Sequence, residues 1–389
     1  MRAFSLLGII GILGLMSSCS KDDFDSEVLS TSSFEVVSYM PNYEENILQT
    51  RAGGYEAMTR AWSIPDGYVA YDSGDQTIGV CFTKNGDDPV ENKTIGQLFK
   101  SSGKWRANVE LAEGNYFLYG YIPHVPAIKC SITDREGNNV KYDEGAILTL
   151  QDVPTVMSGD FCVVIGAKDG TDKNTDNGLR KGDFAYSAKA IDGDSEDAGK
   201  NNFVFLLFDH LYSALSVNLK VHGDYNALRT IKLKSLRLST KEGEGEDEHI
   251  SKDKTNITIS LKATEGSDPI DNIEYGVSSA GVENKNGIEF WSSASGEELS
   301  TDYQPFIGHF MPTGITTLVL TSTYDVYDKN GNLVRENCKA TNTMVLDDML
   351  RDHPKARRGN RYKIEMTIQP TYLYVMSDED LDNPTMVIN

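Results

Sequence analysis

Six histidines, five cysteines, three tryptophans and a shortage of basic residues, 37 Lys plus Arg against 58 Asp plus Glu, set the first limits on a chain of 389 residues. The histidines at 124, 210, 222, 249, 309 and 353 never form His-Glu-x-x-His. No Gly-x-Ser-x-Gly, P-loop or Gly-x-Gly-x-x-Gly pattern occurs, so no enzymatic motif stands out and none is expected. Carboxylates are so abundant that no pair can be singled out as acid and base. A formal net charge of −21 has the wrong sign for holding a phosphate backbone, which argues against a nucleic-acid partner. Trp62, Trp105 and Trp291 offer little for a sugar-stacking platform. Hydrophobic content of 39% and charged content of 24% exclude wholesale disorder and a multi-spanning membrane protein.

What is present begins with an address. After Arg2 an apolar run from Ala3 to Met16 is too short to span a hydrocarbon core, which needs roughly 20 residues, and reads as a signal peptide over residues 1–18. It ends in Leu15-Met16-Ser17-Ser18-Cys19, which resembles the lipobox of bacterial lipoproteins, where cleavage leaves an acylated Cys; an ordinary cleavage site with an incidental Cys19 is the alternative. Met16 departs from the usual Leu. Ser20-Lys21-Asp22-Asp23 is similar to the signal that routes some Gram-negative lipoproteins to the outer face of the outer membrane. Loss of Arg2 with the leader takes the net charge from −21 to about −22. The remaining Cys81, Cys130, Cys162 and Cys338 contain no Cys-x-x-Cys pair, so neither a zinc nor a redox site is expected. Cys81 and Cys162 sit inside apolar runs and read as small buried hydrophobes.

Period-two alternation dominates the body. Trp105, Ala107, Val109 and Leu111 form one such set; Leu215, Val217, Leu219 and Val221 another; Ile257, Ile259 and Leu261 a third; Tyr362, Ile364, Met366 and Ile368 a fourth. These are half-buried strands. Tyr116 to Ile122 is apolar almost throughout and is expected to lie centrally. Turns are predicted at Arg135–Asn139 and Asp328–Asn332, and a bulge where the apolar phase slips between Leu233 and Leu236. Helix is confined to a turn near Ile95–Phe99 and another near Asp347–Leu350.

The stretch from Asp192 to Asn202, whose only apolar side chain is Ala198, is the best boundary. An all-β architecture follows, with β-sandwiches over 61–202 and 203–389 and a tether over 19–60; proteolysis in the boundary is expected to leave two resistant fragments. His210 reads as a structural residue at a strand start rather than a ligand. The segment Asp172–Asp183 places oxygen donors at positions 1, 3, 5 and 12 of a calcium-like loop, but its Gly is one place late and no helices flank it, so solvated turns are the preferred reading. No cofactor is expected.

The leader, Thr50-Arg51-Ala52 and Thr59-Arg60-Ala61, Thr77-Ile78-Gly79-Val80, Trp105 leading into Tyr116 to Pro123, Phe208-Asp209-His210-Leu211, Arg361-Tyr362-Lys363-Ile364 and Pro370-Thr371-Tyr372-Leu373-Tyr374 occur in order along the chain. Together they resemble the fimbrillin family, the Mfa-like surface lipoproteins and type V pilins of Gram-negative anaerobes. The resemblance implies two tandem transthyretin-like β-sandwiches, export as a lipoprotein, and maturation after an Arg, here Arg51 or Arg60, that lets subunits polymerise into surface fimbriae.

Elementary physics fits such a mechanism. Phe34 to Tyr39 is strand-like and is followed by a polar, Gly-containing stretch that a protease can reach. If that strand pairs with the first sandwich, its removal opens a groove that another subunit's strand can refill. The donor is expected in the tail, at Tyr372, Tyr374, Met376 and Val387. Two roles stay open: a stalk subunit, which needs a donor strand, and a tip subunit or surface adhesin binding a glycan or protein, which need donate none.

Overall fold

The computed structural model describes residues 34–48, 68–84, 93–134, 145–192, 201–240, 250, 252–261, 276–283, 286–312, 315–350, 355–372 and 379–388. The fold is all-β, built of several sheets around two buried clusters. In the ten-stranded sheet the order is Tyr68–Tyr71, Glu35–Pro41, Phe203–His210, Cys162–Asp172, Gly114–Ile122, Ile78–Lys84, Lys93–Ser101 and Lys104–Asn108, with two short strands attached. Its core is shared with a four-stranded sheet of Gly276–Glu283, Lys252–Leu261, Ala146–Pro154 and Lys129–Asp134.

The second cluster lies between a six-stranded and a four-stranded sheet. The six-stranded sheet orders Val156–Met157, Gln304–Phe310, Ser213–Val221, Asn360–Tyr372 and Glu44–Leu48, and Glu379–Ile388 also pairs with Asn360–Tyr372. The other orders Ile288–Glu298, Arg229–Ser239, Thr317–Asp328 and Leu333–Val345. Among the described residues α-helix is limited to Gly223–Leu228 and Leu346–Met349.

The alternating sets bury as expected: Ala107, Val109 and Leu111, Leu215 to Val221, Ile257 to Leu261 and Tyr362 to Ile368 all point into a core. Tyr116–Ile122 is buried at every position, central in the ten-stranded sheet and packed into the first core cluster. Register shifts at Leu233/Ser235 against both neighbouring strands show the bulge that the phase slip required. At the Asp328 turn the carboxylate accepts the amides of Asn330 and Asn332, and Gly331 takes φ +84°, a left-handed value that disfavours a side chain. The Arg135–Asn139 turn lies outside the described residues.

Two expectations change, over Ile95–Phe99 and at 202/203, while the turns of Asp172–Asp183 keep the preferred reading. Ile95–Phe99 is strand, within Lys93–Ser101; the spacing of Ile95, Leu98 and Phe99 mimics a helical face, but Gly96 fits only because it lacks a Cβ, which would meet the Val109 side chain at 2.0 Å. The calcium-like loop spends its donors internally: Asp172 and Asp176 accept backbone amides of their own turns, and Asp183 pairs with Lys168 at 3.0 Å. Finally, the hydrogen-bonded units do not divide at 202/203. Phe203–His210 belongs to the first sheet, and Lys252–Leu261 and Gly276–Glu283 return to the first core from far beyond it. Asn202, buried, accepts the Tyr186 hydroxyl at 3.0 Å and the Lys189 amide at 2.9 Å, which ties the residue just ahead of Phe203–His210 to the first sandwich.

A protease cut within residues 193–200 is therefore expected to leave both fragments in one particle, because every side chain of Phe203–His210 is buried among strands that precede the cut. Separation of the fragments on native size-exclusion chromatography would contradict this pairing.

Candidate functional site

The segment from Phe34 to Leu48 serves both sandwiches. Glu35–Pro41 lies between Phe203–His210 and Tyr68–Tyr71, parallel to the first, from Glu35 opposite Phe203 to Tyr39 opposite Leu207, and antiparallel to the second. Its pleat turns Val36, Ser38 and Met40 inward, with Phe34 buried just ahead of it. Ser38 covers the cost of its buried hydroxyl by donating to the Tyr71 carbonyl at 2.9 Å. Two residues later Glu44–Leu48 joins the other sandwich, parallel to Asn360–Tyr372, with Glu44 opposite Asn360 and Leu48 opposite Ile364.

Each half of this strap completes a sheet. Without Glu35–Pro41, the fully buried Phe203–His210 becomes an edge strand with unpaired backbone groups. Without Glu44–Leu48, the outer side of Asn360–Ile364 is bare, while Glu379–Ile388 still covers Met366–Tyr372 on that side. The strap's second strand gives no sequence signal, since Glu44-Glu45-Asn46 interrupts any alternation in so short an edge segment.

Between the two strands the strap crosses the junction of the sandwiches and is pinned there. The Tyr43 ring stacks on His210 at 3.9 Å between centroids, and the Arg361 guanidinium lies 5.1 Å from its other partner point, the Tyr43 ring centroid, while reaching Glu45 at 2.8 Å. His210 Nε2 donates to the Pro41 carbonyl at 2.8 Å and Nδ1 to Asp160 Oδ2 at 2.5 Å. The Cys162 thiol lies 3.1 Å from the same carboxylate oxygen and 3.9 Å from Met40 Sδ. Neighbouring Asp209 holds Arg358 at 2.7 Å.

The electrostatics follow from burial and pairing. Burial alone favours a neutral His210, but the hydrogen bond and charge of Asp160, with Asp209 behind it, win and raise its pKa. Asp160 moves the opposite way: burial opposes ionisation, and the contact with His210 overcomes it and holds the carboxyl below its usual range. The result is a buried ion pair of imidazolium and carboxylate. Burial and the Asp160 charge both push the Cys162 thiol up, and burial and Asp160 do the same to the Tyr43 phenol. His309, 5.9 Å from the Tyr43 ring, is pushed down by burial.

The predicted site residues are distributed unevenly. Cys19, Arg51, Arg60, Tyr374 and Met376 lie outside the described residues. Tyr372 ends the strand Asn360–Tyr372, and Val387, 38% exposed, lies in Glu379–Ile388 beside Met386, which is buried in the second core. Asn342 donates to the Met386 carbonyl at 2.9 Å, so the described part of the tail is docked on its own chain. His210 is the last residue of its strand rather than the first. Cys81, Cys130, Cys162 and Cys338 are free thiols, and no described helix is long and apolar enough to cross a membrane.

No protein-family model and no curated protein sequence matches the chain. Among solved structures, matches to the chain include the tip fimbrial protein Mfa3 from Porphyromonas gingivalis, 10% identical with a TM-score of 0.28, covering 91% of this chain and 98% of that one. The fimbrial anchor protein Mfa2 of the same organism is 10% identical with a TM-score of 0.25, covering 91% and 97%. A candidate cell adhesion protein from Bacteroides fragilis is 10% identical with a TM-score of 0.39, covering 92% and 97%.

Replacing Tyr43 by Ala removes the stack on His210 and the cation–π contact with Arg361, each worth about 0.5–1.5 kcal/mol. Amide exchange in Val37–Tyr39 is expected to accelerate about 10-fold or more, measured by mass spectrometry, while Tyr119–Tyr121 stays protected. Equal protection of Val37–Tyr39 in both proteins would show that the pin does not hold the strand.

Proposed function

We propose that this chain is a structural subunit of a surface fimbria, exported as a lipoprotein precursor anchored through Cys19 and polymerised by protease-triggered strand exchange. The observation that carries the reading is the strap: two strands, one in each sandwich, both upstream of Arg51 and Arg60. Cleavage after either Arg cuts the strap from the body without cutting the body's own strands. The product has one vacancy beside Phe203–Leu207 and another beside Asn360–Ile364. Phe34, Val36 and Met40 leave apolar pockets worth about 1.5–3 kcal/mol each to whatever refills them. An incoming strand regains the backbone ladder as well, the mode known as β-strand addition.

Cleavage after Arg51 removes two positive and seven negative charges from Cys19 to Arg51 and takes the net charge from about −22 to −17. It also separates the body from the lipid. The donor in this reading is the tail, with Tyr372, Tyr374, Met376 and Val387 as pocket residues, and its release from Asn360–Tyr372 frees Glu379–Ile388 to pair with a second subunit. A tip subunit or surface adhesin is the second reading, and the docked tail favours it, since a tip accepts a strand and donates none. In both readings the partners are other fimbrial subunits and, before maturation, the outer membrane.

Three experiments test this. Arg51→Ala combined with Arg60→Ala is expected to leave the protein at precursor size and abolish sodium dodecyl sulfate-resistant ladders; normal maturation and laddering would mean that neither Arg is the switch. Cys19→Ser is expected to lose palmitate labelling and outer-membrane localisation, and retention of both would refute the anchor. Deleting residues 379–389 separates the roles: a stalk subunit stops elongating, whereas a tip subunit still joins the fimbria.

A further inference from the structure

Asp160, Cys162 and His210 put a carboxylate, a thiol and an imidazole on one face of the first sheet, at its junction with the second sandwich. The placement follows from strand register: Cys162 is the direct cross-strand partner of His210, and Asp160, two residues ahead of Cys162 in the segment leading into that strand, reaches both. Their ligand atoms lie within 4.8 Å of one another. Met40, from the strap, adds a thioether sulfur 3.9 Å from the thiol.

We propose that this cluster is a binding site for a borderline-soft divalent cation, zinc foremost, with Cys162 Sγ, His210 Nδ1 and Asp160 Oδ2 as ligands and Met40 beside them. Zinc takes this mixture of sulfur, nitrogen and oxygen, at about 2.0–2.3 Å, which sets tetrahedral ligands about 3.3–3.8 Å apart. The separation from Cys162 Sγ to His210 Nδ1 is 3.7 Å and that to Asp160 Oδ2 is 3.1 Å. His210 and Asp160, at 2.5 Å, must part by about 0.8 Å once the proton between them is replaced by the larger ion.

The support of the imidazole is what a metal ligand needs. A carbonyl can only accept, so the contact with Pro41 fixes the proton of His210 on Nε2 and leaves Nδ1 for the ion. Tyr43 stacked on the ring sets its plane. Asp160 keeps 19% of its side chain exposed and supplies the way in, whereas His210 is 2% exposed.

Charge also balances. The metal-free cluster holds a neutral thiol and an imidazolium–carboxylate pair, net zero; binding Zn²⁺ expels the thiol proton and the shared imidazole proton, leaving thiolate, neutral imidazole and carboxylate around the ion, again net zero. The interior therefore exchanges two protons for one dication without acquiring charge. Such an ion joins the ends of two body strands and lies against the strap at Met40, so it makes the strap harder to remove. The binding itself is independent of the assembly reading.

The test uses the full chain, stripped of metal under reducing conditions and titrated with Zn²⁺ by calorimetry and with Co²⁺ by absorption. One equivalent of each is expected to bind, Co²⁺ with a thiolate-to-metal charge-transfer band, and Cys162→Ser is expected to lose the band and at least about 100-fold in Zn²⁺ affinity, while Cys81→Ser and Cys130→Ser retain both. Because a core variant can fail to fold, X-ray absorption of the Zn²⁺-loaded wild type is the independent measurement. A shell with one sulfur at about 2.3 Å and nitrogen or oxygen at about 2.0 Å supports the site. No stoichiometric binding, a shell without sulfur, or a charge-transfer band that survives Cys162→Ser in a folded protein overturns it.

Discussion

One strand, Phe203–His210, is buried at every residue, and one of its two neighbours is a segment that arrives from more than 160 residues earlier in the chain. Everything at the junction depends on that pairing. The backbone groups on one side of Phe203–His210 are satisfied only while Glu35–Pro41 is present, and the same seven-residue strand closes the core over Val36 and Met40. At its end, His210 converts a sheet contact into a polar one, holding Asp160 with one ring nitrogen and the Pro41 carbonyl with the other. An apolar strand thus sets the position of the strap and a buried ion pair sets its exit.

The ion pair is not there for stability alone. Two charges taken out of water recover little more than their desolvation cost, and a well-packed apolar pair does as well. What the pair adds is direction: the proton on Nε2 requires an acceptor at one place, and Pro41 provides it where the strap must turn from one sandwich to the other. Arg361 repeats the arrangement on the other side, with its guanidinium over Tyr43 and on Glu45. The strap is held by its backbone along its two strands and by side-chain geometry at its crossing.

Much of this was legible in the sequence, and the part that was not has a physical reason. Alternation located the half-buried strands, and the phase slip near Leu233 located a bulge, because both are properties of a single strand. Phe203–Phe208 was readable as a strand but not as a member of the first sheet, since a run buried on both faces carries no mark of its partner. Ile95, Leu98 and Phe99 imitate a helical face by spacing alone. Glu44–Leu48 is too short and too acidic to announce itself. The cluster of Asp160, Cys162 and His210 was invisible for the same reason: the partners are 48 and 50 residues apart and only cross-strand register brings them together.

The sandwiches also trade strands in both directions: Val156–Met157 leaves the first to pair with Gln304–Phe310, and Lys252–Leu261 with Gly276–Glu283 comes back to complete the first. A chain delivered from its N-terminus can form neither unit in sequence. The facing sheet of the first core waits for residue 283, and the second sheet waits for Asn360–Tyr372 at its centre. Folding of the two is therefore interlocked and late, dominated by contacts distant along the chain and slow for that reason. During that interval the long apolar strands of the first half have no cover, and the chain is exposed to aggregation until the strands near its far end arrive.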